Sequence, residues 1–186
     1  MTQHFFGYGS LVNRATHSYP DARPATLKGW RRTWIHTSTH PQSFLSVIRD
    51  PDCTIAGLVA HVPNGDWAAL DIRETGYARH HDHAALGQEP HPIQVYAVPP
   101  QNRAASDPHP ILLSYIDVVI QGFVVEYGPQ GAADFFNTTS GWHTPILDDR
   151  KTPIYPRAQR LTAQETALVD EGLHDLGARI IRQHSV

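Results

Sequence analysis

The chain has 186 residues, which is enough for one domain, residues 1–186, whose core needs no disulfide or metal. Its formal net charge is −3. No cluster of basic residues extends beyond Arg31 and Arg32, and no long uninterrupted apolar stretch occurs, which argues against nucleic-acid partners and a membrane span. A single cysteine, Cys53, and the absence of a secretory pattern in the first residues predict a cytoplasmic protein.

The first half of the chain predicts β-strands. Segments rich in β-branched and aromatic residues alternate there with turn signals, such as Asp50-Pro51-Asp52 and Pro63-Asn64-Gly65. We expect these segments to form one curved, mainly antiparallel sheet. The predicted strands are residues 4–8, 26–36, 44–49, 55–62 and 93–98.

The second half of the chain predicts helices. Capping residues at Thr162 and Glu165 begin a second helix, which we expect to dock on the rest of the protein. Strands followed by helices indicate an α+β fold: a small mixed, mainly antiparallel, barrel-like sheet with flanking helices. The apolar stripes are Leu112, Ile116, Val119 and Phe123 in the first helix, and Val169, Leu173, Leu176 and Ile180 in the second.

The segment FFGYGSL ends the first predicted strand with Gly7 and Gly9 on either side of Tyr8, followed by Ser10 and Leu11. Glycines allow a sharp turn and leave backbone N–H groups open to a carboxylate or an oxyanion. The alternative is an ordinary tight turn. The segment lacks the third glycine of a dinucleotide fingerprint and the lysine of a phosphate loop, so nucleotide binding is not supported.

The segment NGDWAALDIRETGYAR predicts a short helix that Asp66 caps and that runs to about Glu74. The position of Glu74 at the helix end, on the face expected to be buried, raises the pKa of its carboxyl group. Such a carboxyl group can exchange protons near neutral pH. Pairing with Arg73 would oppose this, but adjacent helix residues are not expected to face each other. The alternative is a surface glutamate on a frayed helix end.

Together, FFGYGSL and LDIRETGYAR resemble the γ-glutamylcyclotransferase-like superfamily, which includes cyclotransferases of the ChaC type. The resemblance, which covers roughly residues 5–122, implies that the glycine-containing loop binds substrate and that Glu74 does the acid/base work. The segment ILLSYIDVVIQG resembles the family's helix with a substrate tyrosine, which would place Tyr115 at the pocket; the alternative is a half-buried helix tyrosine. The substrate loop would consist of Gly7, Tyr8, Gly9, Ser10 and Leu11.

The implied activity is cyclisation of a γ-glutamyl group to 5-oxoproline, with release of an amine or amino acid and without a cofactor. A non-catalytic module that binds a similar small ligand on the same fold is the alternative. The partner is then a small γ-glutamyl compound, and neither nucleic acid nor membrane is expected. The sequence leaves the oligomeric state and the particular γ-glutamyl compound open.

Other potentially reactive residues give weaker indications of a function. The run HHDH at residues 80–83 lacks a recognised metal-ligand spacing, so we expect a solvated loop and no metal. We expect Cys53 to be an inert thiol, and Ser10 lacks the Gly-x-Ser-x-Gly setting of a hydrolase nucleophile. Four charged residues of the C-terminal part would either close over the substrate or form a surface ion-pair network, which we favour: Asp148, Asp149, Arg150 and Arg157.

Overall fold

Five strands form a closed barrel in the computed structural model, which describes residues 3–37, 40–104 and 109–182. Around the barrel the order is β3, β1, β5, β4, β2, and β2 pairs with β3 to close the ring. All these pairings are antiparallel except that of β1 with β5. The predicted α+β fold with a barrel-like sheet is therefore confirmed. The strands are β1 (His4–Gly7), β2 (Arg23–Ile35), β3 (Phe44–His61), β4 (Ala78–Leu86) and β5 (Glu89–Ala97).

Strand β3 runs through residues 50–52, where the sequence predicted a turn between two strands. That prediction was wrong. Residues 50–53 of β3 lie opposite Gly29 of β2, where the register shifts, and the left-handed φ of +83° at Gly29 accommodates the bulge. The Asp52 N–H donates to Asp50 Oδ1 at 3.2 Å, so the turn-forming residues shape a bulge within one continuous strand.

Strand β4 was not predicted, because five consecutive residues of it, 79–83, are polar or charged. The run at residues 80–83, expected to be a solvated loop, is instead part of this strand; its three histidines are exposed, whereas Asp82 is half-buried and accepts a hydrogen bond from Trp30. Backbone pairing with β5 along its whole length holds β4 in place, and Ala84 is its fully buried residue. Apolar alternation is too weak a signal for a strand that buries so little.

Among the described residues, four α-helices accompany the barrel: α1 (Ala68–Arg73), α2 (Leu113–Tyr127), α3 (Pro129–Asn137) and α4 (Ala163–Asp175). Three residues of the predicted apolar stripe, Ile116, Val119 and Phe123, lie in α2 and pack in one core with barrel residues such as Val47 and Ile55. The fourth, Leu112, precedes the helix in a short strand and lines a cavity. The sequence did not predict α3. None of the helices in the described ranges is long and apolar enough to cross a membrane.

The predicted start of α4 is confirmed, because Thr162 and Glu165 form both hydrogen bonds of a capping box. Its apolar stripe is shorter than predicted. Val169 and Leu173 are buried, but the helix ends at Asp175, and the two later residues of the stripe are 37% and 44% exposed. The second of them, Ile180, belongs to a strand.

Four short strands complete the sheets, and none was predicted. Strand β7 (Thr139–Ser140) pairs with β2, while β6 (Ile111–Leu112), β8 (Ile146–Asp148) and β9 (Ile180–Arg182) form a separate parallel sheet. Strands of two or three residues are too short to show a periodic pattern. Strand β6 leads directly into α2, so this small sheet helps to fix where α2 begins.

Candidate active site

The glycine-containing loop leaves β1 at Gly7 and turns at once into a single helical turn, Ser10–Val12. The turn closes through hydrogen bonds from Val12 N to Gly9 O, at 2.9 Å, and from Asn13 N to Ser10 O, at 3.1 Å. The first N–H groups of a helical turn have no partner within it. The Ser10 and Leu11 amides therefore lie at the open end of the turn.

The two glycines of the loop permit close packing. A Cβ atom at Gly9 would lie 2.6 Å from the Tyr115 hydroxyl oxygen, and one at Gly7 would lie 2.6 Å from the Leu11 Cβ. Both distances are far below an ordinary contact. The sequence attributed these glycines to the approach of a ligand; in the structure they also admit Tyr115 and let the loop fold back on itself.

The side chain of Tyr8 anchors the loop in the core. Its hydroxyl donates a hydrogen bond to the Tyr96 carbonyl at 2.6 Å, and burial raises its pKa well above the usual range. The Tyr8 carbonyl accepts a hydrogen bond from Arg32 Nε at 2.9 Å. Both ends of this residue are therefore fixed, which gives the following amides a defined direction.

Arg32, which follows Arg31 in the one small basic cluster of the sequence, is fully buried. Its guanidinium lies over the rings of Phe123 and Phe135, at 4.8 and 5.0 Å from their centroids. Burial lowers its pKa to about 9, so it stays charged at neutral pH. It donates to the carbonyls of Tyr8 and Ala56 and, at 2.6 Å, to Thr138 Oγ1.

Glu74 caps the C-terminus of α1, and its side chain is 17% exposed. Burial raises the pKa of its carboxyl group, while Arg73 and, more weakly, Arg157 lower it. The expectation that Arg73 and Glu74 do not pair was wrong: Arg73 Nε lies 3.4 Å from Glu74 Oε1. Glu74 has left the helical conformation, with φ −96° and ψ 31°, so its side chain is not bound by the helical spacing rule.

Arg73 also connects α1 to the glycine-containing loop. Its Nη1 donates to the Thr16 carbonyl at 2.8 Å, and its Nη2 lies 3.1 Å from Thr16 Oγ1 and 3.3 Å from Ser10 Oγ. One guanidinium therefore holds the carboxylate of Glu74 and the loop in a fixed relationship. The sequence indicated Arg73 only as a possible ion-pair partner of Glu74, and this role was not predicted.

Tyr115 reaches the loop from the first turn of α2. Its hydroxyl packs against Gly9 of the loop, and burial raises its pKa, so it remains protonated and can donate. Its ring meets the ring of Tyr155 edge to face, with centroids 5.0 Å apart. The hydroxyl thus lies where the loop amides and Glu74 converge.

The predicted surface ion-pair network of the C-terminal part holds only in part for Arg150, whose partners, each at 2.7 Å, are Asp170 and the buried Asp117 rather than the predicted residues. It is wrong for Asp149, which is fully buried. The Asp149 carboxylate accepts from Ser114 N at 2.8 Å, Ser114 Oγ at 2.6 Å and Ile154 N at 2.8 Å, close to the start of α2. The predicted surface network is also wrong for Arg157, because this residue lines a cavity.

A cavity of about 350 Å³ opens beside Glu74, and a smaller one of about 30 Å³ lies behind it, lined by the loop. The two hollows share Ser10, Leu45, Glu74, Tyr77 and Tyr115. The structure thus brings together every residue that the sequence predicted for the site. Within the described residues, no group of His, Cys, Asp and Glu is arranged to hold a metal ion, and Cys53 is buried in the core.

Comparisons with known proteins agree with this geometry. Residues 4–121 match the family model described as ChaC-like protein. Three solved structures, each with a TM-score of 0.57, share the fold. A γ-glutamyl cyclotransferase is 14% identical over 92% of this chain and 99% of its own, and the human protein loc79017 is 15% identical over 90% and 98%. YkqA from Bacillus subtilis is 18% identical over 75% and 56%.

At such identities the structural likeness shows the fold alone, and no curated protein sequence matches the chain. The family model, however, spans more than half of the chain and includes both the glycine-containing loop and Glu74. The protein therefore belongs to the ChaC-like family.

Proposed function

We propose that the protein is a γ-glutamyl cyclotransferase, which converts the γ-glutamyl group of a small peptide or amine to 5-oxoproline and releases the amine or amino acid. One observation carries the proposal: Glu74, a largely buried carboxylate with a raised pKa, faces the Gly7–Leu11 loop across a common hollow. Membership of the ChaC-like family and the fold shared with a γ-glutamyl cyclotransferase support it.

The reaction needs little machinery, because the nucleophile and the electrophile belong to one molecule. The α-amine of a γ-glutamyl group can reach its own γ-carbonyl carbon and close a five-membered ring. A site that holds the substrate in this folded shape can supply an effective molarity on the order of 10⁵ M. The main tasks left to the protein are positioning, proton transfer and stabilisation of the oxyanion.

Glu74 is suited to the proton transfers. The α-ammonium loses two protons in total on becoming the lactam N–H, and the departing nitrogen gains two on leaving as an ammonium group. A carboxylate beside both nitrogens accepts a proton from the first and passes it to the second as the C–N bond breaks. Burial raises its pKa, which favours the protonated form that the second step needs compared with an exposed glutamate.

The loop and Tyr115 are suited to the negative charge that develops on the γ-carbonyl oxygen. Three hydrogen-bond donors line the smaller, inner hollow: the amides of Ser10 and Leu11 at the open end of the turn, and the protonated hydroxyl of Tyr115. Each well-placed donor of this kind is worth a few kcal/mol of barrier in comparable sites.

The test is to incubate the purified chain with γ-glutamyl-alanine, glutathione and γ-glutamyl-ethylamine and to measure 5-oxoproline. We expect turnover of at least one compound, and a loss of roughly 10²- to 10⁴-fold in Glu74→Gln. Glu171→Gln, an exposed position on α4, is the matched control and should retain full activity. Binding of these compounds without turnover would instead indicate a non-catalytic binding module.

A further inference from the structure

The site consists of two hollows that meet at Glu74: the inner hollow of about 30 Å³ and the outer cavity of about 350 Å³. The inner hollow is lined by the loop, while the outer cavity is closed by residues that the inner one lacks, among them Arg157, Pro156 and Tyr155. If the γ-carbonyl lies between Glu74 and the loop, the part of the substrate beyond the scissile bond extends into the outer cavity. The outer lining then contacts the leaving group.

The charged residues that line the outer cavity differ in whether they have an ion-pair partner. Its acid is Glu74, and its two arginines are Arg73 and Arg157. Arg73 is already bound to Glu74 and to the loop. Arg157 is half-buried and, over the ranges that the structure describes, forms no ion pair within 4 Å, although it lies near enough to lower the pKa of Glu74. The guanidinium of Arg157 is therefore a cation at the cavity wall without a close anionic partner.

The chain around Arg157 is held in place. Upstream, Asp149 fixes the segment to α2 through Ser114 and Ile154, and Tyr155 packs against Tyr115. Downstream, the Gln159 side chain donates to the Arg157 carbonyl at 3.1 Å. A cation on a fixed backbone loses less entropy on binding an anion than one on a loose loop.

We propose that Arg157 binds a carboxylate of the leaving group, so that γ-glutamyl amino acids and peptides are preferred over γ-glutamylamines that lack this carboxylate. The inference rests on the proposed function and names the substrate class of the same site. An arginine fork matches a carboxylate with two parallel hydrogen bonds, which gives both affinity and direction. A neutral leaving group would leave this half-buried cation without its partner.

Two substrates isolate the carboxylate, because γ-glutamyl-alanine differs from γ-glutamyl-ethylamine only by that group. We expect the wild type to favour the alanine compound in kcat/KM by roughly tenfold or more. Arg157→Gln should lose most of this preference by lowering kcat/KM for γ-glutamyl-alanine much more than for γ-glutamyl-ethylamine, and Arg157→Lys should retain part of it. Arg160→Gln, an exposed neighbour outside the cavity lining, should leave the preference unchanged.

The comparison is insensitive to the influence of Arg157 on Glu74, since a change in that carboxyl group acts on both substrates and cancels in their ratio. An equal loss on both substrates in Arg157→Gln, or no preference in the wild type, would overturn the assignment while leaving the cyclotransferase intact. Failure of the wild type to form 5-oxoproline from any γ-glutamyl compound would overturn the proposed function, and this inference with it.

Discussion

The hydroxyl of Tyr115 fills the space that a side chain at Gly9 would need: a Cβ atom there would lie 2.6 Å from the hydroxyl oxygen and 3.0 Å from Leu45 Cδ2. Gly9 belongs to the loop after β1, whereas Tyr115 belongs to α2, so this contact joins the two halves of the fold. Because Gly9 has no side chain, the hydroxyl of Tyr115 can lie against the loop.

Gly9→Ala should destabilise the protein, because the tyrosine must move or the loop must shift. Overpacking of this kind costs about 1–3 kcal/mol of the free energy of unfolding. Tyr115→Phe removes the clashing oxygen, so it should recover part of the loss when combined with Gly9→Ala. Urea unfolding of the two single variants and the double variant measures this coupling. Simple addition of the two effects would mean that the contact does not constrain the loop.

The sequence predicted those parts of the fold whose pattern is long and regular. The apolar stripe of α2 and the capping box of α4 were both read correctly, because each is a local pattern with a direct physical cause. Strand β4 was missed because backbone pairing with β5, not apolar burial, holds it in place. A turn was wrongly predicted at residues 50–52, because a bulge contains the same residue types as a turn.

The candidate site was predicted by a different route, namely from the resemblance carried by the loop and by Glu74. The roles of Arg73 and Arg32 were missed, since a charged residue in a sequence is assumed to face water. One signal for Arg32 was present: Trp30, Arg32 and Trp34 alternate along β2 and therefore share one face of the strand, and both tryptophans are buried. Contacts such as that between Arg73 and the loop depend on tertiary structure and leave no local pattern.

The activity should depend on pH through Glu74. Below its pKa the carboxyl group is protonated and cannot accept a proton from the α-ammonium, so the rate should fall as the pH is lowered. Because burial raises this pKa, the acid limb should lie above the ordinary range of a glutamate. Arg157 lowers the pKa, so Arg157→Gln should move the acid limb to higher pH, while Arg157→Lys should leave it near the wild-type position.

The measurement is the pH dependence of kcat for γ-glutamyl-ethylamine, which lacks the carboxylate assigned to Arg157. Ionisation of the substrate amine is common to all variants, so the difference between their profiles reports the enzyme. A profile of Arg157→Gln that coincides with that of the wild type would remove Glu74 as the titrating group.

Glu74→Gln should raise the stability of the protein even as it removes activity. Burial disfavours the charged carboxylate, so the folded state binds more protons than the unfolded state between the two pKa values. In that window the contribution of Glu74 to stability falls as the pH rises, and the cost of burying the charged carboxylate is fully present above both pKa values. The nearby arginines offset part of it, so we expect a gain on the order of 0.5 kcal/mol at pH 7.

The gain should shrink at pH values low enough to protonate the carboxyl group in both states. Thermal unfolding of the wild type and Glu74→Gln at several pH values measures it, with the exposed Glu171→Gln as a control that should not differ from the wild type. A Glu74→Gln variant less stable than the wild type at pH 7 would show that the arginines more than compensate for burial, which contradicts the raised pKa.

Arg32→Met should destabilise the protein by about 2 kcal/mol or more, because methionine keeps the apolar stem but removes the donors to Tyr8 O, Ala56 O and Thr138 Oγ1. Relief of the buried charge offsets part of this cost. The neighbouring Arg31→Met is the matched control: Arg31 pairs with Asp50 at 2.6 Å near the surface, where an ion pair is worth about 1 kcal/mol at most. Urea unfolding should therefore rank the wild type and Arg31→Met close together and Arg32→Met well below them. Equal stability of the two variants would mean that Arg32 does not hold the loop in place.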